Sequence, residues 1–600
     1  MEEIKIRKRS EIPVEDTWAI EDLYSSDEAW EQDLKALEED REVLASFEGK
    51  LGQSGQMLYD YLSKMENADV RAGRLGNYAM RMSDVDTRDA TYQAMTGKFM
   101  SVAVGIGAAC SFETPEIMTI SDEKLEGFYQ EYPALNKYRR YLTDLRRMKD
   151  HILSQAEEKL LAAVGEMAQT PQNTYSMLTN ADMKFPDALD SQGNPHPISQ
   201  GTFVLCQESS DRVLRKNAYE SLYHGFQNFQ NTAAALLNAQ NKKLKFYADA
   251  RKYESAFEAS LDGTNVPTSV YLNLIETVHQ NLDKMHRYVR LRKKLLGVDE
   301  LHFYDIYTPL VADVDKKIPY EQAKQTIYDA LAPMGEDYRK ILKEGFESRW
   351  IDVYQNEGKR AGAYSAGAME HPYVMMNYTG TLDSQFTLAH EMGHALHSYH
   401  SNKTQTPLDA GYVIFVAEVA STCNEALLME YLLSKTTDKK ERAYLINHFL
   451  EQFKGTLYRQ TMFAEFELNI GKMVHEGKTL TPDVLCGEYR RLNELYYGPD
   501  MVVDDEIAVE WARIPHFYFN YYVFQYATGY SAAIALSRRI LSEGESAVQD
   551  YIRFLCGGCS KSPIDLLKDA GVDMTGPEPV NQAIALFGEL LDEMESLMEE

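Results

Sequence analysis

The stretch of the chain with the clearest capacity for chemistry is His390-Glu391-Met392-Gly393-His394. Its surroundings, from Thr387 to His397, read as a helix. At about 100° per residue, His390 and His394 lie roughly 40° apart on one face, one turn from each other. Two imidazoles so placed can point at one Zn²⁺, and Glu391 beside them can reach a metal-bound water. The bare pentapeptide also arises by accident on buried helices, so it needs a third ligand. Residues 413–433 read as a second helix, with Glu418 and Glu425 seven apart and within roughly 20° of one face. Glu418 sits in Ile414-Phe415-Val416-Ala417-Glu418-Val419-Ala420. A carboxylate in so apolar a run is costly unless it is paired or bound to metal. Glu418 is therefore the expected third ligand, and Glu425 the expected acceptor for a ligand imidazole N–H.

These groups need a scaffold. Asp383, just after the turn-like Tyr378-Thr379-Gly380, is the expected N-cap of the first helix. Tyr373-Val374-Met375-Met376-Asn377-Tyr378 reads as a strand immediately before it, whose edge could pair with a peptide backbone or be purely structural. Residues 18–172 read as almost entirely helical: Asp16 and Thr17 can cap a start, Trp30, Leu34 and Leu37 recur at helical spacing, and so do Leu160, Val164 and Met167. Pro171, Pro186, Pro195, Pro197, Gly193 and Gly201 then punctuate a hairpin or an irregular connection. The division drawn there gives residues 1–200 as an N-terminal helical lobe and 201–600 as a catalytic domain. Helices resume over 212–248, one long candidate with at most one break, and over 269–296. The run from His516 to Tyr530, rich in tyrosine, is either helix core or a wall of neutral O–H donors. The acidic end, residues 590–600, reads as a solvated helix.

Six hundred residues exceed one hydrophobic core, so at least two lobes are expected. The chain is 44% hydrophobic and 26% charged, ordinary soluble material. With 62 basic against 92 acidic side chains the formal net charge is −30, which argues against nucleic acid or an anionic membrane as partner. No uninterrupted apolar run reaches membrane-spanning length, and no secretory h-region follows Met1. Six cysteines suit a reducing cytoplasm. Cys556-Gly557-Gly558-Cys559 follows a helical run rather than a strand, so it reads as a glycine turn with incidental thiols.

Three His-Glu-x-x-His patterns can be compared. In the metzincin pattern a glycine breaks the helix so that a third histidine swings back; here His397 holds the glycine position, which sends His400 roughly 120° from His394 and excludes it. Gly367-Ala368-Met369-Glu370 resembles the Gly-Ala-Met-Glu-Asn signature of zinc aminopeptidases, but His371 replaces Asn and Val413 stands where that group has its third ligand. The third pattern, His390-Glu391-Met392-Gly393-His394 followed by Glu418, resembles the thimet oligopeptidase family, and more closely its bacterial oligoendopeptidase F branch. Trp18…Asp22-Leu23-Tyr24, residues 358–365, His371-Pro372-Tyr373 with Asn377-Tyr378, and residues 415–422 with Asn424-Glu425 extend the likeness along nearly the whole chain.

The resemblance implies a mostly α fold: a two-lobed, clam-like helical metallopeptidase with a deep central channel and a small sheet beside the zinc helix. It implies one Zn²⁺ per chain held by His390, His394 and Glu418, with oligopeptides as substrates. Tyr522 and Tyr526 keep the family's four-residue tyrosine spacing and His516 corresponds to its upstream histidine. In the thimet branch that histidine lies one residue closer and Gly-Gly stands where Asn520-Tyr521 stand here, so Tyr521 and Tyr522 both remain open. The expected activity is cleavage of internal bonds in short unstructured peptides, with Glu391 as general base and Tyr522, then His516, as oxyanion donors. The alternatives are a zinc aminopeptidase and a non-catalytic peptide binder.

Overall fold

Helix starts are set by local capping. In the computed structural model, which describes residues 6–311 and 317–599, the first long helix, α1 (Asp27–Ala45), begins where Ser26 Oγ accepts the Ala29 N–H. Asp16 ends a short 3₁₀ turn upstream instead, and Thr17 is its C-cap. The stripe Trp30, Leu34 and Leu37 is buried as its spacing requires, and Trp30 Nε1 donates to the Leu75 carbonyl at 2.9 Å on α2 (Gly55–Val85). The helix α3 (Ala90–Ala109) packs Met95, Phe99 and Ile106 against α1 and α2. Ala90–Thr119 is, by length and composition alone, apolar enough to cross a membrane, and 28% of its apolar window is buried. The helix α4 (Gln155–Ala168) reverses its expectation: Leu160 and Met167 are largely exposed, and Leu161 is the buried position.

The Pro- and Gly-rich stretch forms an antiparallel hairpin of β1 (Ala188–Leu189) and β2 (Pro195–His196). The helical pattern that follows is α5 (Arg212–Asn228) and α6 (Gln230–Ala250), broken once at Phe229. The next breaks too, at Gln280 and Asn281. A parallel bridge joins β3 (Leu301–His302) to β7 (Met501–Val502). The sheet beside the helix of His390 and His394 has the order β4 (Ile351–Asp352), β6 (Tyr373–Met375), β5 (Tyr364–Ala366), with β4 parallel and β5 antiparallel to a wholly buried β6. Lys359 anchors it from within: its Nζ meets Asp352 Oδ1 at 2.6 Å and the carbonyls of Tyr354 and Met376 at 2.7 and 2.6 Å. A buried ammonium is tolerable because each of its hydrogens has a partner.

Beyond the sheet come α7 (Leu382–Thr404), α8 (Ile414–Lys435), α9 (Arg459–His475), α10 (Phe524–Glu543), α11 (Glu545–Leu555) and α12 (Glu578–Glu599). The cap of α7 is Thr381, whose Oγ1 accepts the Ser384 N–H; Asp383 falls in the first turn. The acidic α12 is not merely solvated, since Leu591 and Met594 are fully buried, facing the helices Leu282–Leu296 and Lys439–Gln452. The fold is thus mostly α with small sheets. Two compact units form, each from separated stretches: the first from Met1–Asp150, Lys316–Tyr431 and Leu536–Val572, the second from His151–Asp315, Leu432–Ala535 and Asp573–Glu600.

Candidate metal centre

The helix α7 is apolar on most of its circumference: Phe386, Leu388, Ala389, Met392 and Leu396 are all buried. Such a helix sits inside its unit rather than on it. It packs against β5 and β6, and its C-terminal end is tied by the Cys556–Cys559 turn. Thr404 Oγ1 and Gln405 Nε2 donate to the Cys556 carbonyl at 2.9 and 2.7 Å, and Cys559 N–H to Asp409 O at 2.7 Å. Both thiols are free, and burial pushes both up, away from thiolate reactivity. His400 lies by this turn, its Nδ1 4.0 Å from Cys556 Sγ, and not among the converging ligand atoms.

His390, His394 and Glu418 bring one ligand atom each to within 4.8 Å of the others, the only such group of His, Cys, Asp or Glu among the described residues. Glu418 Oε2 is 3.2 Å from His390 Nε2 and 3.4 Å from His394 Nε2. Metal–ligand bonds of about 2.0–2.2 Å at a tetrahedral angle put neighbouring donors roughly 3.4 Å apart, so these residues fit a metal ion. Burial raises the Glu418 carboxyl, but hydrogen bonds from both imidazoles outweigh it and leave it well below the carboxylate range. Ser421 Oγ donates to Glu418 Oε2 at 3.0 Å and orients it. On the far side of His390, Nδ1 meets Glu425 Oε1 at 2.5 Å. The seven-residue spacing of Glu418 and Glu425 thus brackets one imidazole with two carboxylates. Glu391 is buried, and its Oε2 has no hydrogen-bond partner among the described residues. Burial is the main cause of its raised pKa, partly offset by His390 and His394.

Two further residues set this geometry. Asn424 Nδ2 donates to the Ala389 carbonyl at 3.2 Å and its Oδ1 accepts from Tyr338 at 2.9 Å, bracing α8 against α7 one residue before Glu425 and one before His390. Gly393 lets the helices touch: a Cβ there would lie 2.6 Å from both the Ala420 carbonyl oxygen and Ser421 Cα. Backbone cannot step aside as a side-chain tip can. Gly393→Ala is expected to push α8 away, weakening metal binding tenfold or more and costing about 1–3 kcal/mol of stability. Metal titration beside thermal melts checks this, and unchanged affinity would refute it.

His516, Tyr521 and Tyr522 belong to the second unit. The run is not one helix: a 3₁₀ turn (Pro515–Tyr518) leads through Asn520 and Tyr521, both at φ 59°, into α10. Left-handed backbone costs an ordinary residue about 1–2 kcal/mol. The turn separates the two tyrosines. Tyr521 is buried, its ring 5.4 Å from that of Phe257 and 6.2 Å from Tyr271. Tyr522 is half-exposed, its ring 6.4 Å from His516 and 5.3 Å from Tyr526. Burial lowers the His516 pKa, so its ring is neutral at pH 7. Glu370, in the aminopeptidase-like tetrapeptide, is held by Arg74 Nε at 3.1 Å.

The arrangement is that of a helix-borne group able to hold a metal ion with a buried carboxyl next to it in sequence, and comparison with known proteins gives it a family. Residues 205–586 match the model of peptidase family M3 and residues 116–185 that of oligopeptidase F. Oligopeptidase PepF of Bacillus subtilis (strain 168) is 48% identical over 98% of this chain and 88% of its own length. The crystal structure of oligoendopeptidase-F from Enterococcus faecium superposes with a TM-score of 0.75 at 36% identity, over 96% of this chain and 99% of that one. A crystal structure from Chlamydophila abortus reaches 0.92 at 34% identity, over 99% and 100%. The chain belongs to peptidase family M3, in its oligoendopeptidase F branch, and is a metallopeptidase acting on peptides. That family implies a bound metal, and His390, His394 and Glu418 form the group that fits one.

Proposed function

We propose that the chain is a zinc endopeptidase cutting internal bonds of short unstructured oligopeptides in the cytoplasm. The observation that carries this is the convergence of His390, His394 and Glu418 beside Glu391, whose Oε2 has no partner among the described residues. Two imidazoles and one carboxylate are the donor set of catalytic zinc sites that keep one position open. When bound, zinc lowers the pKa of water and polarises the scissile carbonyl. Glu391 takes a proton from the attacking water and delivers it to the leaving amine. Glu425 holds the Nδ1 proton of His390, so that Nε2 is the free donor atom. Tyr522 donates its hydroxyl to the tetrahedral oxyanion, with neutral His516 as the second donor. The inward burial of Tyr521 favours Tyr522 over it. The edge strand β5, packed beside α7, suits a substrate read through its backbone. Residues 201–600 are taken as the catalytic stretch, in line with the family match over 205–586. The six free thiols suit a reducing compartment.

The pairing of Glu370 with Arg74 speaks against a grip on a substrate's free amine, as an aminopeptidase needs. Metal analysis and digestion of an N-acetylated peptide, read by mass spectrometry, test the reading. Internal cleavage with bound zinc supports it; cleavage confined to peptides with free amino ends favours the aminopeptidase, and intact peptide a binder. Tyr522→Phe is expected to lower kcat about 10²–10³-fold with KM little changed. Should Tyr521→Phe do so instead, the donor is the neighbouring tyrosine.

A further inference from the structure

Two consecutive non-glycine residues at φ 59°, Asn520 and Tyr521, are held from two sides within the second unit. From one side comes α9. Glu467 and Gly471 are four residues apart, hence on one face of it. Glu467 Oε1 accepts the Tyr521 N–H at 3.1 Å. The Tyr521 hydroxyl occupies the space above Gly471, 1.9 Å from where a Cβ would stand. One helix face thus grips Tyr521 by its backbone and by its ring tip. From the other side, Gln240 Nε2 on α6 donates to Asn520 Oδ1 at 2.9 Å and to the Tyr518 carbonyl at 3.1 Å.

We propose that Glu467 is a positioning residue for the reaction: by holding the Asn520–Tyr521 turn it keeps Tyr521 inward and so presents Tyr522 outward, beside His516 and Tyr526. The inference rests on the reading of Tyr522 as oxyanion donor. Strained backbone persists only where its surroundings over-determine it, and such places cluster at functional sites. Glu467 is buried, its Oε2 has no partner among the described residues, and burial pushes its carboxyl up to about 8. It acts as a neutral acceptor at pH 7, a part that a glutamine carbonyl can also play.

The test uses the full-length, metal-loaded enzyme and a quenched fluorescent peptide. Glu467→Ala is expected to lower kcat about 10–100-fold with KM and metal content unchanged, since small misplacements of a donor carry that cost. Glu467→Gln is expected to restore most of that loss. In a Tyr522→Phe background, Glu467→Ala should cost less than about twofold more, because residues acting through one another are not additive. Independent, additive losses would overturn the positioning role while leaving Tyr522 in place, and so would full activity of Glu467→Ala. If Tyr522→Phe alone costs nothing, the donor reading fails and the inference falls with it. Should Glu467→Ala not fold, Gly471→Ala displaces the other end of Tyr521, and a folded, fully active Gly471→Ala protein overturns the proposal.

Discussion

Replacing Glu391 by glutamine is expected to leave a protein that binds its metal normally and turns over about 10²–10⁴-fold more slowly. Glu391 is not one of the converging donors, so the amide removes a base without removing a ligand. Its carboxyl is buried with one oxygen unpartnered among the described residues, and an amide of the same shape fits the same space. The loss corresponds to about 3–5 kcal/mol of barrier, all of it from proton transfer. Metal analysis with kcat on the same preparation reads both halves of the expectation. A glutamine variant that retains turnover would remove Glu391 from the mechanism.

The second large effect separates two glutamates of one helix. Glu418→Ala takes away one of three donors and is expected to abolish metal binding at ordinary concentrations, and activity with it. Glu425→Ala leaves all three donors but frees His390 Nδ1 from its partner at 2.5 Å. Loss of such a supporting carboxylate lowers metal affinity about 10–100-fold. Excess zinc should therefore restore activity to Glu425→Ala and not to Glu418→Ala. Equal losses, or rescue of both, would mean that the ligand assignment is wrong.

Much of this centre was legible because its signals are local. Two histidines at i and i+4 share a helix face wherever that helix lies, and Glu418 is conspicuous as a charge in an apolar run. The strand before α7 followed from alternation in the same way. What escaped depends on partners far along the chain. Gly393 shows its purpose only once Ala420 lies against it, and Asn424 only once the Ala389 carbonyl is within reach. Nothing in Phe466-Glu467-Leu468 announces that the acid meets an amide at position 521. Leu160 and Met167 keep helical spacing yet stay exposed, because periodicity gives a face and not what covers it. The cap at Thr381 rather than Asp383 shows how two good capping residues two positions apart defeat a purely local reading.

The unit that carries His390, His394 and Glu418 is assembled from stretches ending at residues 150, 431 and 572. On the ribosome its first stretch emerges well before the Cys556–Cys559 turn that ties down the end of α7. At about 5–20 residues per second, roughly 20–80 s separate the first stretch from the third. Through that interval the nascent enzyme is without the segment that completes this unit, so proteolytic competence should arrive only after the third stretch has emerged.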